Sequence, residues 1–331
     1  MIVDCHAHII VPEITREAAP AESWRPRVGR EDGRQYVEMG GRRIWAAVRE
    51  FSDIAAILEE QDAAGVDHVL LCPWVNLLGD GTEPEIALLM ARIQNDALAR
   101  LAAEHAQRVS ALGTVPLYDA ELAAAELEAL MRRPGMVGIE LPASVGGDYL
   151  GHDRFLPLWR AAEASGALVF VHPTTRGFDV PAFQDYYLWN TVGNPLETAV
   201  TAAHMVVSGV MEGHPLLRVL LAHGGGALAP LRGRLRHAWS FQAQAGSRLE
   251  RSPEESLTRF FFDTVVHDTD VLRDLVEWVS AGRVLLGSDY PFDMGDERPA
   301  ELVRSLGLPD REEELILGGN ALTLIGAGAL R

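Results

Sequence analysis

Eight short apolar runs, each followed by a longer stretch with helical spacing, constrain this chain more than any other feature of its sequence. The runs cover 2–8, 68–73, 109–116, 137–142, 168–173, 218–223, 260–266 and 283–289, and most are apolar through their middles, as strands buried on both faces are. Between them, stretches such as 51–64, 85–105, 120–133, 156–165, 195–211 and 270–280 carry the Ala/Leu/Glu-rich periodicity of helices. Eight such alternations predict an α/β fold, a (β/α)8 TIM barrel. The rival is a doubly wound sheet, whose G-x-G-x-x-G signature does not follow the first run. A barrel of this kind takes about 250 residues, and the chain has 331. The surplus is expected in long loops after strands 1 and 5, at 11–50 and 174–194. Residues 1–331 read as one domain, with 11–50 as a lid-like insertion over the end where barrel active sites are built.

Charge and residue usage exclude several kinds of chemistry. The net charge of −18, from 47 acidic against 29 basic side chains, repels a polyphosphate backbone, so no nucleic-acid partner is expected. Every basic residue is Arg. Without Lys there is no Schiff-base amine, no phosphate-loop lysine and no carboxylated lysine to bridge two metals. Cys5 and Cys72 are too few for a disulfide framework. The opening MIVDCHAHII lacks a basic leader, and no apolar run reaches membrane-spanning length. A soluble, cytoplasmic protein without membrane attachment is expected.

The chemistry lies at the ends of the runs. The first closes on Asp4-Cys5-His6-Ala7-His8, and period-two alternation puts His6 and His8 on one face. The fifth ends in Val-Phe-Val-His172, the sixth in Leu-Leu-Ala-His223-Gly-Gly-Gly and the eighth in Leu-Gly-Ser-Asp289. In a barrel these ends share one mouth, so imidazole nitrogens and a carboxylate oxygen converge as they do around zinc or another divalent transition metal.

With D-C-H-A-H-I-I, V-F-V-H-P, L-L-A-H-G-G-G, F-D-T-V-V-H-D and G-S-D-Y-P-F in this order along the chain, the sequence resembles the amidohydrolase superfamily, and within it the aminocarboxymuconate-semialdehyde decarboxylase branch. The resemblance implies that His6, His8, His172 and Asp289 bind one divalent ion, Zn2+ with Mn2+ or Fe2+ as alternatives. It places His223 beside the metal-bound water as acid-base catalyst. It also implies that Arg49 and Arg234 grip substrate carboxylates, as a planar guanidinium does well. Trp189 resembles an aromatic residue that packs near the substrate, and a homodimer follows from the second arginine reaching a neighbouring site. Other decarboxylases of the branch have Glu in place of the first His, whereas this chain keeps His6, which leans toward the semialdehyde type. His267, just beyond strand seven, is a candidate for supporting the site, and Arg25, Arg27, Arg30, Arg34, Arg42 and Arg43 with Trp24 and Trp45 make the early loop either a locally cationic lid or a solvated loop.

The expected activity is metal-dependent, non-oxidative decarboxylation of a small unsaturated or aromatic carboxylic acid. The same residues also suit a metal-dependent hydrolase or hydratase, a lactonase or amidase type, acting on a small acidic substrate.

Overall fold

The computed structural model describes residues 1–16, 22, 24–79, 82–178 and 180–326. Its centre is an eight-stranded parallel sheet: β1 (Val3–Ile9), β2 (His68–Pro73), β3 (Val109–Gly113), β4 (Met136–Pro142), β5 (Leu168–His172), β6 (Arg218–Leu221), β7 (Phe261–Asp263) and β8 (Val284–Leu285), hydrogen-bonded in that order. First and last strands close on each other: Cys5 N–H donates to Leu286 O at 2.9 Å, Asp289 N–H to His6 O at 2.7 Å and His8 N–H to Tyr290 O at 2.7 Å. The result is the expected α/β barrel with helices between the strands.

Alternation along the strands sorts the apolar side chains. Leu70, Cys72, Leu112, Val137, Leu168, Phe170, Leu220 and Leu285 fill the barrel, together with Ala321, Leu324 and Ile325 of a C-terminal helix. Val69, Leu71, Ala111, Ile139, Val169, Val219 and Val284 face outward into the shared core with the surrounding helices. The helices start where short polar side chains offer an oxygen to free N–H groups: Asp119 caps Ala120–Leu130, Asp268 caps Thr269–Val279, and Ser252 caps Pro253–Leu257 as its Ser-Pro-Glu-Glu sequence predicts.

Three departures from the sequence expectation matter. The helix expected at 51–64 is two, Val48–Ser52 and Ile54–Ala63, because the Asp53 carboxylate accepts from Ala55 N–H and Ala56 N–H and restarts the chain there. Strands six to eight stop short of 223, 266 and 289, since His223 and Asp289 take left-handed backbone at φ 57° and turn the chain off the sheet. Finally, the interval 11–50, expected as a loop, holds a three-stranded antiparallel sheet of Arg27–Glu31, Arg34–Met39 and Arg42–Trp45. Its two-residue turns are Asp32-Gly33 and Gly40-Gly41, all at positive φ, the mirror-image turn that matches strand twist.

Candidate metal centre and active site

The register of β1 against β2 slips between Asp4 and Ala7. Cys5 therefore packs inside the barrel while Ala7 and Ile9 pack outside it, and the inward side passes to His6 and His8 at the mouth. Asp4, wholly buried, anchors this bend by accepting from Gln61 Nε2 at 3.1 Å and Ser288 N–H at 3.0 Å. Gly287 allows the crossing there, because a Cβ would come within 2.9 Å of His6 Cβ and 3.1 Å of Asp263 Cβ.

Three imidazoles have Nδ1 committed outward. His6 Nδ1–H donates to Asp263 Oδ2 at 2.7 Å, His8 Nδ1–H to Pro73 O at 3.0 Å and His172 Nδ1–H to Pro173 O at 3.0 Å. Each Nε2 is thereby turned to the centre. His6 Nε2 lies 3.1 Å from His8 Nε2, and Asp289 Oδ1 stands 3.1 Å from the first and 3.3 Å from the second. Ligand atoms of His6, His172, His223 and Asp289 all fall within 4.8 Å of one another. His172 Nε2 and Asp289 Oδ1 are buried without a hydrogen-bond partner among the described residues.

The electrostatics call for a cation at this point. Burial would lower the His6 pKa, but Asp289 and Asp263 outweigh it and raise it to about 10. Burial and then the neighbouring imidazoles of His223, His8 and His6 push His172 well below its ordinary value, leaving it neutral. Burial opposes ionisation of Asp289, yet His6, His223 and His8 hold its carboxyl well below the usual range. The acids that hold a proton on His6 would equally hold a divalent metal ion in that proton's place, beside the His8 and His172 nitrogens whose pKa values burial lowers and the ionised Asp289. The cluster is a divalent metal site.

His223 is held differently. Its ring makes one long hydrogen bond, Nε2 to Asp289 Oδ2 at 3.4 Å, and its Nδ1 has no hydrogen-bond partner among the described residues. Its backbone is fixed instead: Asp263 accepts from His223 N–H at 2.9 Å and Gly224 N–H at 2.8 Å, so one carboxylate orients both His6 and the turn carrying His223.

These residues lie on a cavity of about 850 Å³. Its walls include Phe51, Trp74, Tyr187, Trp189 and Phe292, and Arg34, Arg43 and Arg176 bring positive charge to it. Trp189 lines it. Arg49 does not. Val48 and Phe51 turn the buried side of their short helix inward, and the adjacent Arg49 points out, with its side chain 70% exposed and Nε 4.0 Å from Asp53. Arg234 is exposed on the helix Leu228–Phe241 and also lies off the cavity of its own chain, as does exposed His267. In the early loop, Arg25 is buried and spent on Glu22 and the carbonyls of Glu13 and Ile14, whereas Arg34 and Arg43 reach the mouth.

Sequence reading missed Asp263, Glu140 and Arg176. Glu140 is an acid in an otherwise apolar strand, which was its visible signal. Burial raises its pKa well above the usual carboxyl value, and Oε1 sits 3.7 Å from His8 Nδ1.

A parallel barrel with a histidine and aspartate metal centre at its C-terminal mouth defines the class. The amidohydrolase family model matches residues 3–327, and the chain belongs to that family. Among its relatives, 2-amino-3-carboxymuconate-6-semialdehyde decarboxylase of Dictyostelium discoideum is 32% identical over 272 residues, covering 81% of this chain and 75% of that protein. The 6-methylsalicylic acid decarboxylase of Penicillium expansum is 28% identical over 254 residues, covering 74% and 78%. The fold matches a dihydroxybenzoic acid decarboxylase from Polaromonas sp. JS666, solved with bound manganese and 2-nitroresorcinol, at a TM-score of 0.80 and 20% identity over 99% of this chain and 98% of that one. No helix among the described residues is long and apolar enough to cross a membrane.

Proposed function

We propose that this protein is a metal-dependent, non-oxidative decarboxylase of a small unsaturated or aromatic carboxylic acid. The observation that carries the reading is the convergence of His6, His172, His223 and Asp289 on one aromatic-walled cavity, with the His223 ring in a single long hydrogen bond, in a chain whose relatives include decarboxylases. His6, His8, His172 and Asp289 hold the ion. Zinc suits this donor set, with manganese or iron(II) as alternatives. When bound, the ion supplies Lewis acidity to a carboxylate or carbonyl oxygen.

The protein's own residues do the rest. The aromatic walls hold a flat substrate and exclude water. His223 Nε2, facing the cluster, passes a proton to the carbon that bears the departing carboxylate. The bond to that carboxylate then breaks, its electron pair returns to the conjugated system, and CO₂ leaves. The product gains one hydrogen at that carbon and His223 recovers its proton from solvent. Asp289 Oδ2 stabilises the protonated ring from 3.4 Å.

Arg234 is proposed to act across a homodimer. Its helix also exposes Leu231 and Phe241, the latter 71% exposed, which suits contact with a second copy. Free, buried Cys5 and Cys72 agree with a reducing cytoplasm.

The test incubates metal-loaded protein with muconate semialdehydes, hydroxybenzoates and unsaturated diacids and follows headspace CO₂ by mass spectrometry. Metal-dependent CO₂ is expected. A substrate mass rising by one water, without CO₂, would move the assignment to a hydrolase or hydratase.

A further inference from the structure

Among the charged side chains on the cavity, the arginines are not equivalent. Arg43 is neutralised by Glu31 at 3.1 Å and Glu38 at 3.2 Å. Arg34 is exposed, lying over the Trp45 ring at 4.8 Å. Arg176 is half-buried, with its guanidinium over the Trp189 ring at 4.3 Å and no carboxylate partner among the described residues. Burial, and then nearby Arg42, act against its charge and lower its pKa. A guanidinium of this kind stays charged near neutrality, so the surroundings leave it short of an anion.

The backbone is arranged to put it there. Glu197, wholly buried, accepts from Thr174 N–H at 3.2 Å, Thr175 N–H at 2.9 Å and Thr175 Oγ1 at 2.7 Å, which pins the chain leaving β5. Thr175 Oγ1 accepts in turn from Phe178 N–H at 2.9 Å, and Gln184 Nε2 donates to Arg176 O at 3.2 Å. Between these ties Arg176 takes left-handed backbone, φ 55°, a conformation that costs an arginine energy and persists only where neighbours impose it. Of the acids on the cavity, Asp289 belongs to the metal cluster, Asp293 accepts the Tyr187 hydroxyl at 2.9 Å, and Glu50 lies on the exposed rim.

We infer that Arg176, held over the Trp189 ring, is the specificity-determining residue that binds an anionic group of the substrate remote from the carboxylate that is lost. The substrate is then a flat acid with two anionic groups, one directed to the metal cluster and one to Arg176. This deepens the decarboxylase reading and rests on it. Arg49, exposed beside Asp53, does not meet this second group within its own chain.

The experiment measures binding to metal-loaded protein by calorimetry, with isophthalate and benzoate as probes, in the wild type and in Arg176→Gln, Arg176→Lys and Trp189→Leu. Removing a charge-assisted bidentate contact should weaken isophthalate about tenfold or more while leaving benzoate within about twofold. Arg176→Lys should recover only part of the loss, because an ammonium neither stacks flat nor binds in two prongs. Trp189→Leu should shift isophthalate in the same direction by less. Unchanged isophthalate binding in Arg176→Gln, or an equal loss for both acids, overturns the inference, as does equal affinity of the wild type for the two probes. If no acid yields CO₂ while isophthalate binding still depends on Arg176, the decarboxylase reading fails and this assignment stands.

Discussion

Asp263 holds His6 by its Nδ1–H at 2.7 Å from inside the protein, on the opposite side of the ring from the metal cluster. Burial would raise the Asp263 pKa, but His6 outweighs it, with His223 and Gly224 N–H assisting, and the carboxyl lies below its usual range. An anion placed there fixes the tautomer and raises the basicity of Nε2. Asp263→Asn should cost about 10- to 100-fold in metal affinity, read by competition with a chelating dye. Unchanged affinity would reduce Asp263 to a structural anchor.

In the proposed mechanism His223 serves acid-base catalysis rather than metal ligation. His223→Asn should lower CO₂ release by about 10²–10⁴-fold while metal content after dialysis stays near that of the wild type. Loss of the metal together with turnover would make His223 a ligand instead.

The proposed role of Arg234 across a dimer has a complementation test. Arg234→Ala and Asp289→Asn should each be nearly inactive alone. Mixed after dissociation and reassociation, they should regain activity, because some dimers then assemble one intact cavity. No recovery in mixtures shown by mass spectrometry to contain heterodimers would confine each cavity to one chain.

Away from the site, Glu163 offers a pH-dependent check on stability. Burial alone would raise its pKa, yet the His214 Nδ1–H at 2.9 Å and the Leu216 N–H at 2.8 Å reverse this and lower it. A carboxyl with a depressed folded-state pKa contributes stability above its unfolded value near 4.5, and that contribution fades as pH falls through the lower folded value. Glu163→Gln should therefore melt below the wild type at pH 7, by about 1 kcal/mol, and the gap should narrow below pH 4.5. A gap independent of pH would show that the charge is not what matters.

How legible the molecule was depends on which signals are local. Strands buried on both faces give continuous apolar runs, and a polar residue ending such a run stands out. His172, His223 and Asp289 were visible for that reason. The inserted sheet was hidden by its polar strands, although Asp32-Gly33 and Gly40-Gly41 were hairpin signals in plain view. Arg49 was expected from a motif match, and no motif specifies the helical phase that turns its side chain away from the cavity of its own chain. Arg176 had no local signal, since its importance comes from a tryptophan thirteen places on and from a glutamate on the following helix. The helices Pro299–Arg304 and Asn320–Ile325, the second packed among the barrel-interior side chains, follow the last strand, where the helical stretches were not delimited from sequence.

The seam between β1 and the segment after β8 carries the same residues as the metal cluster, through His6 O with Asp289 N–H and His8 N–H with Tyr290 O. A cation that joins His6 and His8 to Asp289 is thus a cross-link between the two ends of the barrel sequence. It closes a loop of nearly the whole chain, and tethers of long loops remove the most freedom from an unfolded polymer. Loading the metal should then stabilise the entire barrel rather than its mouth alone, which would make the bound ion a clasp of the fold as well as part of the proposed active site.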